Sequence, residues 1–198
     1  MKKLSVILVF IGVIVLWSCS SVRYNRVYSY EDEYRGSSRE YVRFMLKPEE
    51  KRTEIGHAEA IFERVRSKDV VYDDVYFVIM RTSSSFGADR QGFMKAGGKN
   101  YEIELLYPVT EFRTKSEETV STVISKDTSG VSVSTTTDID TRSWIEEKFM
   151  VRIPGSYSGI SGHSDELIFR FYFGPVPATY VITGKKLDLI KGIMEGQD

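Results

Sequence analysis

Strict alternation of apolar and polar side chains constrains this chain more than any other feature. Residues 166–174 (ELIFRFYFG) place four large apolar side chains on one side of an extended backbone, namely Leu167, Phe169, Phe171 and Phe173. Residues 101–107 (YEIELLY) alternate in the same way, with Glu102 and Glu104 on the polar side. A period of two over such short runs is typical of strands with one buried face.

Several other segments are short, rich in β-branched and aromatic residues, and bounded by proline, glycine or serine. They predict further strands at residues 40–47, 74–82, 144–153 and 179–183, and the serines at 83–85 with the glycines at 87 and 92 predict a loop after the second of these. Residues 55–66 (IGHAEAIFERVR) fit the period of a helix as well as that of a strand, because their apolar side chains allow a helix with a polar face or an imperfect strand. We favour the strand, since the neighbouring segments are β-rich, and keep the helix as the alternative.

The C-terminal segment has the spacing of a helix. Residues 184–194 carry an apolar stripe, Thr183 can cap the first turn, and Gly196 is a suitable stop. Together the elements predict an all-β fold, a single antiparallel sandwich or partly open barrel of about seven to nine strands with one short C-terminal helix. An α+β arrangement follows instead if residues 55–66 are helical.

Residues 114–143 differ from the rest of the chain, because half of them are serine or threonine. Alternation on both sides of residues 126–130 (KDTSG) predicts a β-hairpin with a glycine-containing turn. Its thin apolar face indicates that it projects from the body or is poorly ordered. An edge hairpin kept soluble by hydroxyl groups is the simpler interpretation, and an element that binds a partner is the sharper one.

The N-terminus has the three parts of a secretory signal peptide. Lys2 and Lys3 precede an apolar run over residues 4–17, and the small residue Ser18 follows. As a helix the run would span about 21 Å, which is short of the hydrocarbon core of about 30 Å. Cys19, the only cysteine in the chain, comes directly afterwards, so a disulfide framework is excluded.

Residues 16–19 (LWSC) resemble the lipobox of bacterial lipoproteins, although Trp17 is larger than the residue usual at that place. The resemblance implies cleavage before Cys19, lipid on its thiol and acylation of its amino group. Cys19 is thus the predicted lipidation site, and the membrane is a predicted partner, since several acyl chains together bind a bilayer firmly. A plain signal peptide or an uncleaved short anchor, with Cys19 incidental in either case, is the alternative.

The same resemblance predicts a location. Ser20 and Ser21 follow Cys19, and the lack of an aspartate there resembles lipoproteins sent to the outer membrane. The first acidic cluster comes only at residues 31–33, whereas surface lipoproteins of Bacteroidota often carry one directly after the cysteine, so we expect the chain to face the periplasm. The predicted organisation is a signal peptide (residues 1–18), a lipid-anchored tether (19–39) and a single β-rich domain (40–198). The chain is similar in general character to envelope lipoproteins of Bacteroidota, but no motif in the mature domain resembles a family.

The sequence offers little for catalysis or for binding cofactors. A formal net charge of -1 gives no attraction for nucleic acid. His57 and His163 are the only histidines, and with Cys19 assigned to lipid we predict no metal or cofactor site. Residues 155–166 (GSYSGISGHSDE) place His163 and Asp165 near serines but lack the Gly-x-Ser-x-Gly of many hydrolases.

These observations favour a cell-envelope lipoprotein that is a non-enzymatic binding module or a structural and assembly module, with an envelope protein as its expected partner. An envelope hydrolase with an unrecognised site is the alternative.

Overall fold

In the computed structural model, the chain is described from residue 24 to residue 195 with short gaps. The described ranges are 24–34, 36–51, 54–68, 70–82, 86–127, 130–153 and 164–195. They contain ten strands and one helix, in this order: β1 Val27–Asp32, β2 Ser37–Leu46, β3 Ile55–Ser67, β4 Val71–Arg81, β5 Gln91–Ala96, β6 Lys99–Glu104, β7 Leu106–Asp127, β8 Gly130–Arg152, β9 Glu166–Phe173, β10 Val176–Thr183 and α1 Lys185–Glu195.

The strands form two antiparallel sheets. The larger sheet has the order β1-β2-β3-β4-β8-β7 and curves into a half-barrel, and the smaller has the order β10-β9-β5-β6. The predicted all-β fold with one short C-terminal helix is therefore confirmed. The described ranges hold ten strands instead of the predicted seven to nine, because β1 and β5 were not predicted from the sequence.

The core lies between the two sheets and is built around phenylalanine. The Phe77 ring of β4 meets Phe169 and Phe171 of β9 edge to face, with ring centroids 5.1 and 4.8 Å apart. Phe149 of β8 lies 4.8 Å from Phe171 on another side. Such pairs contribute beyond their buried area. The alternating face of residues 166–174 is thus the centre of the core, as its pattern predicts.

Residues 55–66 are a strand, which confirms the favoured prediction. β3 pairs with β2 and β4, and its apolar side chains at Ala58, Ala60 and Phe62 point into the core. On the outer side, Glu59 forms an ion pair with Arg43 at 3.1 Å. The neighbouring strands β2 and β4 pair with β3 on both sides from Ala58 to Arg66, so the β context determines the conformation.

The sheet begins before residue 40. β1 pairs with β2 from Val27↔Val42 to Asp32↔Ser37, and Tyr28 stacks on Tyr41 with ring centroids 5.2 Å apart. Part of the segment expected as a tether is thus an edge strand. Its alternation is weak because most of its side chains are exposed on both faces.

Gly92 lies inside β5, in a segment that the sequence suggests is a loop. A Cβ at this position would lie 2.9 Å from the carbonyl oxygen of Arg170 and 2.9 Å from the Phe171 ring. Glycine is therefore present because β5 and β9 approach closely here, not because the chain turns.

The helix closes one end of the sandwich. α1 packs on β2, β3 and β10 through Leu187, Ile190 and Ile193, which confirms the helix predicted at residues 184–194. The carbonyl of Gly184 (φ +54°) accepts the first helical hydrogen bond, from Asp188 N at 3.0 Å. Gly184 is thus the N-cap instead of Thr183. The predicted stop at Gly196 lies outside the described residues.

The two sheets are also joined by backbone and side-chain bonds next to β2. Pro48 forms an isolated bridge with Tyr180, and Glu49 N donates to Thr179 O at 2.9 Å. The Glu50 carboxylate accepts from Thr179 N at 2.7 Å and from its hydroxyl at 2.6 Å. Partial burial raises the pKa of Glu50, but the bonds from Thr179 outweigh it and hold that pKa below its usual value.

Candidate functional site

A long β-hairpin extends from one edge of the larger sheet. β7 and β8 pair without interruption from Val109↔Lys148 to Asp127↔Gly130, whereas β4 pairs with β8 only from Arg152 to Ile145. Residues 113–127 and 130–144 thus have only each other as strand partners in the described chain, and we call them the projecting hairpin. It extends about 50 Å at about 3.3 Å per residue. The predicted hairpin is confirmed, whereas residues 128 and 129 of its predicted turn lie outside the described residues.

One face of the projecting hairpin continues the core-facing side of the larger sheet. We call it the apolar-hydroxyl face; apart from one carboxylate, Glu118 opposite Ile139, its side chains are Thr114, Ser116, Val120, Thr122 and Ile124 from β7, and Val133, Thr135, Thr137, Ile139, Thr141 and Ser143 from β8. Ile124 and Ile139 are each 68% exposed, because no part of the described chain covers this face. Hydroxyl groups bond across the strands, as in the Ser116–Thr141 pair at 3.1 Å.

The opposite face of the projecting hairpin is charged. We call it the charged face; its members include Arg113, Lys115 and Glu117 from β7, and Asp138, Asp140 and Arg142 from β8. Its cross-strand neighbours have like charges, since Lys115 lies opposite Arg142, and Glu117 lies opposite Asp140. Such pairs are unfavourable. Each charge instead finds its counter-ion two residues along its own strand, in the pairs Lys115–Glu117 and Arg142–Asp140.

A buried ion pair lies where the projecting hairpin joins the body. The Arg81 guanidinium of β4 donates to the Glu147 carboxylate of β8, and both side chains are almost wholly buried. Arg81 also donates to Phe86 O and lies over the Phe173 ring, while the Thr110 hydroxyl donates to Glu147 at 2.9 Å. The pair connects β4, β7 and β8 at this point.

A second buried carboxylate supports β8 farther into the body. Asp74 accepts two bonds from Arg152, at 2.9 and 3.1 Å, and is 2% exposed. Sequence reasoning did not single out Asp74, Arg81 or Glu147 as buried members of ion pairs. For Arg81 and Glu147 the signal is a charged residue at a core-facing position of an otherwise apolar strand, whereas Asp74 lies on the outer face of β4, opposite Arg152, and gives no such signal.

A shallow groove lies on the outer face of the smaller sheet. Phe93 and Tyr172 form its floor, with ring centroids 6.2 Å apart, and the Arg170 guanidinium is 5.8 Å from the Tyr172 ring. Its volume is about 540 Å³, and Glu50 and Lys95 lie on its rim. The groove combines one aromatic pair with charges of both signs, which suits weak contact with many ligands and selects no chemical class.

The residues that the sequence offered for chemistry do not come together in the described chain. His57 is exposed on β3, and Asp165 is exposed just before β9. The Ser164 hydroxyl accepts from Gly97 N at 3.0 Å and donates to Glu166 O, so it holds two strand ends. Within the described ranges, no group of three or more His, Cys, Asp or Glu side chains could hold a metal ion. Cys19 and His163 lie outside the described residues.

Comparison with known proteins gives no relatives: no family model, no curated protein and no solved structure matches the chain. Among the described residues, no helix is both long and apolar enough to cross a membrane.

Proposed function

We propose that this chain is a lipid-anchored protein of the bacterial cell envelope that acts by binding, with the projecting hairpin as its binding element. The anchor is Cys19, acylated after removal of residues 1–18, and the domain faces the periplasm from the outer membrane. The anchor rests on the resemblance of residues 16–19 to a lipobox, and the binding role rests on the hairpin.

The observation that carries the binding role is the open geometry of the projecting hairpin. Both its strands have an edge without a partner strand in the described chain, and its apolar-hydroxyl face is exposed. Open edges with unpaired backbone groups readily accept another strand, and natural proteins usually shorten or cover them. β1, at the opposite edge of the same sheet, is only six residues long. A long open hairpin is thus consistent with a surface that a partner covers.

The anchor is tested with Cys19→Ala beside the wild type, expressed in a bacterial envelope. The wild type should lose residues 1–18, gain the mass of acyl chains and partition with the membrane, whereas Cys19→Ala should remain unacylated. Intact mass spectrometry and membrane fractionation measure both properties. An unlipidated, released wild type would contradict the anchor and leave Cys19 incidental.

The binding role is tested by photo-crosslinking in the same cells. A photoreactive residue at Thr122, on the apolar-hydroxyl face, should form a protein adduct. The same residue at His57, which is exposed on the outer side of β3, is the control and should form none. If both positions are equally unreactive in membranes that contain the protein, the hairpin is not a binding element.

A further inference from the structure

We infer that a second copy of this chain binds the open edge of β7, antiparallel, with Ser116 of both copies on the two-fold axis. The inference rests on the proposed role of the projecting hairpin and names its partner. Antiparallel pairing of two identical edges forms a closed dimer, because each strand presents the same residues to the other. The paired segment is 109–123, which begins directly after Pro108 and contains no further proline.

The side chains of β7 are complementary about Ser116. In this register Lys115 lies opposite the second copy's Glu117, and Phe112 lies opposite its Val120. Phe112 and Val120 are 76% and 58% exposed in a single chain, so each would lose exposed apolar surface in the dimer. Val109 meets Val123 and Thr110 meets Thr122 in the same way. Opposite charges and paired apolar side chains are the combinations that stabilise neighbouring strands.

The charges also select this register over its neighbours. Moving the two-fold axis by one residue towards the N-terminus sets Arg113 against the second copy's Glu117 but also sets Lys115 against its own copy, which the pairing centred on Ser116 avoids. Moving it by one residue towards the C-terminus sets Glu117 against its own copy. Like charges directly opposite each other are destabilising, so the pairing centred on Ser116 is favoured over both.

The second copy would also offset the repulsion between like charges that face each other within one hairpin. Lys115 has Arg142 as its cross-strand neighbour in β8, and Glu117 has Asp140. The second β7 would place a carboxylate on the open side of Lys115 and an ammonium group on the open side of Glu117. Lys115 and Glu117 would then each have an opposite charge across the boundary with the second copy, in addition to the like charge that β8 places beside each of them.

The open edge of β8 is less suitable for the same pairing. A two-fold axis that sets Arg142 against Asp140 is centred on residue 141 and covers only residues 138–144, because β4 occupies the edge from Ile145 onwards. An axis centred on residue 137 uses the whole edge but gives no pair of opposite charges. We therefore assign the dimer contact to β7.

The test is a charge exchange in the purified full chain in detergent, with dimerisation measured by sedimentation equilibrium. We expect the wild type to dimerise, and Lys115→Glu and Glu117→Lys each to weaken dimerisation by about tenfold or more, because each places two like-charged pairs across the axis. The two side chains are 64% and 58% exposed, so neither variant should disturb the fold. Arg142→Glu, with the same charge change as Lys115→Glu but on β8, should dimerise like the wild type.

Mixing the two weakened variants gives the decisive result. In a heterodimer of Lys115→Glu with Glu117→Lys, both pairs across the axis again have opposite charges, so equimolar mixing should restore dimerisation. A second readout is Ser116→Cys, which should form a disulfide-linked dimer under mild oxidation. Ser121→Cys on the same edge lies opposite Glu111 and should not.

A monomeric wild type, or single variants that dimerise as well as the wild type, would overturn the inference. These outcomes are distinct from failure of the proposed function. A hairpin that crosslinks to another protein in cells while the purified chain stays monomeric would remain a binding element with a different partner.

Discussion

Arg81 and Glu147 place two opposite charges in the core at the point where the projecting hairpin leaves the body. We predict that Glu147→Gln lowers the free energy of unfolding by about 3–5 kcal/mol, because it removes the negative charge that Glu147 places beside the buried Arg81 guanidinium. Urea denaturation monitored by circular dichroism measures the change.

The double variant Arg81→Met with Glu147→Leu is the control for this prediction. Because it removes both charges and fills a similar volume, it should lose much less stability than Glu147→Gln alone. A single variant that is no less stable than the double one would show that Glu147 is not needed to compensate Arg81.

Asp73 makes the stability of the chain depend on pH. Burial raises the pKa of Asp73 above its usual value, and the nearby Arg64 and Arg66 offset only part of that effect. The folded state therefore binds this proton more tightly than the unfolded state does, and the contribution to stability is lost as the pH rises through the folded-state pKa. Relative to the wild type, Asp73→Asn should gain stability as the pH is raised from about 3 to about 7.

Glu50 provides a control of opposite sign in the same pH series. The bonds from Thr179 hold the pKa of Glu50 below its usual value in spite of partial burial, so its contribution is present at neutral pH and is lost as the pH falls through the folded-state pKa. Relative to the wild type, Glu50→Gln should lose stability as the pH rises. If both variants follow the same trend in urea denaturation, local pKa shifts do not cause it.

Single residues also explain where the sequence misleads. Gly92 suggests a loop because glycine weakens a strand, and its real cause, the backbone of β9 2.9 Å from a Cβ at that position, is visible only in three dimensions. Asp74 and Glu147 belong to segments that were correctly predicted as strands. Their partners Arg152 and Arg81 are 78 and 66 residues away along the chain, so a local sequence pattern cannot predict which residues form the ion pairs.

At the level of elements, regular alternation was the reliable guide. β9 has a burial pattern that changes at almost every residue, and it was predicted from its sequence. β1 was missed because an edge strand with two exposed faces shows no such alternation. The hairpin was predicted with its turn because Val120, Thr122 and Ile124 alternate towards a glycine-containing segment. The continuity of the hairpin with the core strands was not predicted, because the length of a strand depends on its partners elsewhere in the sheet.

The projecting hairpin should be dispensable for folding. We predict that replacing residues 116–141 by Asn-Gly, so that Lys115 and Arg142 flank a two-residue turn, changes the melting temperature by only a few degrees. The removed residues pair with each other and contribute nothing to the core. Thermal unfolding by circular dichroism measures the effect.

The matched control is the double variant Val120→Thr with Ile124→Thr, in which the hairpin keeps its full length. It should also keep its melting temperature, because both side chains are exposed. Loss of cooperative unfolding in the shortened chain alone would mean that the hairpin supports the fold.

For the whole molecule, composition and alternation were enough to predict two packed layers of antiparallel strands. They did not predict which strands share a sheet, because the order β10-β9-β5-β6 joins strands that are 70 residues or more apart in sequence, such as Met94 and Phe169. The predicted anchor at Cys19 lies outside the described residues and stays a prediction. The proposed binding surface was foreseen only as one interpretation of residues 114–143.

The continuity of β8 has a mechanical consequence. One uninterrupted strand runs from the hairpin tip at Gly130 to Arg152 in the core, with no hinge between them. A pull along the hairpin axis therefore acts in shear on all eight paired positions between β4 and β8 at once, because hydrogen bonds between antiparallel strands lie perpendicular to the strands. A force applied at the hairpin tip is thus transmitted into the sandwich and shared by these hydrogen bonds, which are not broken one at a time.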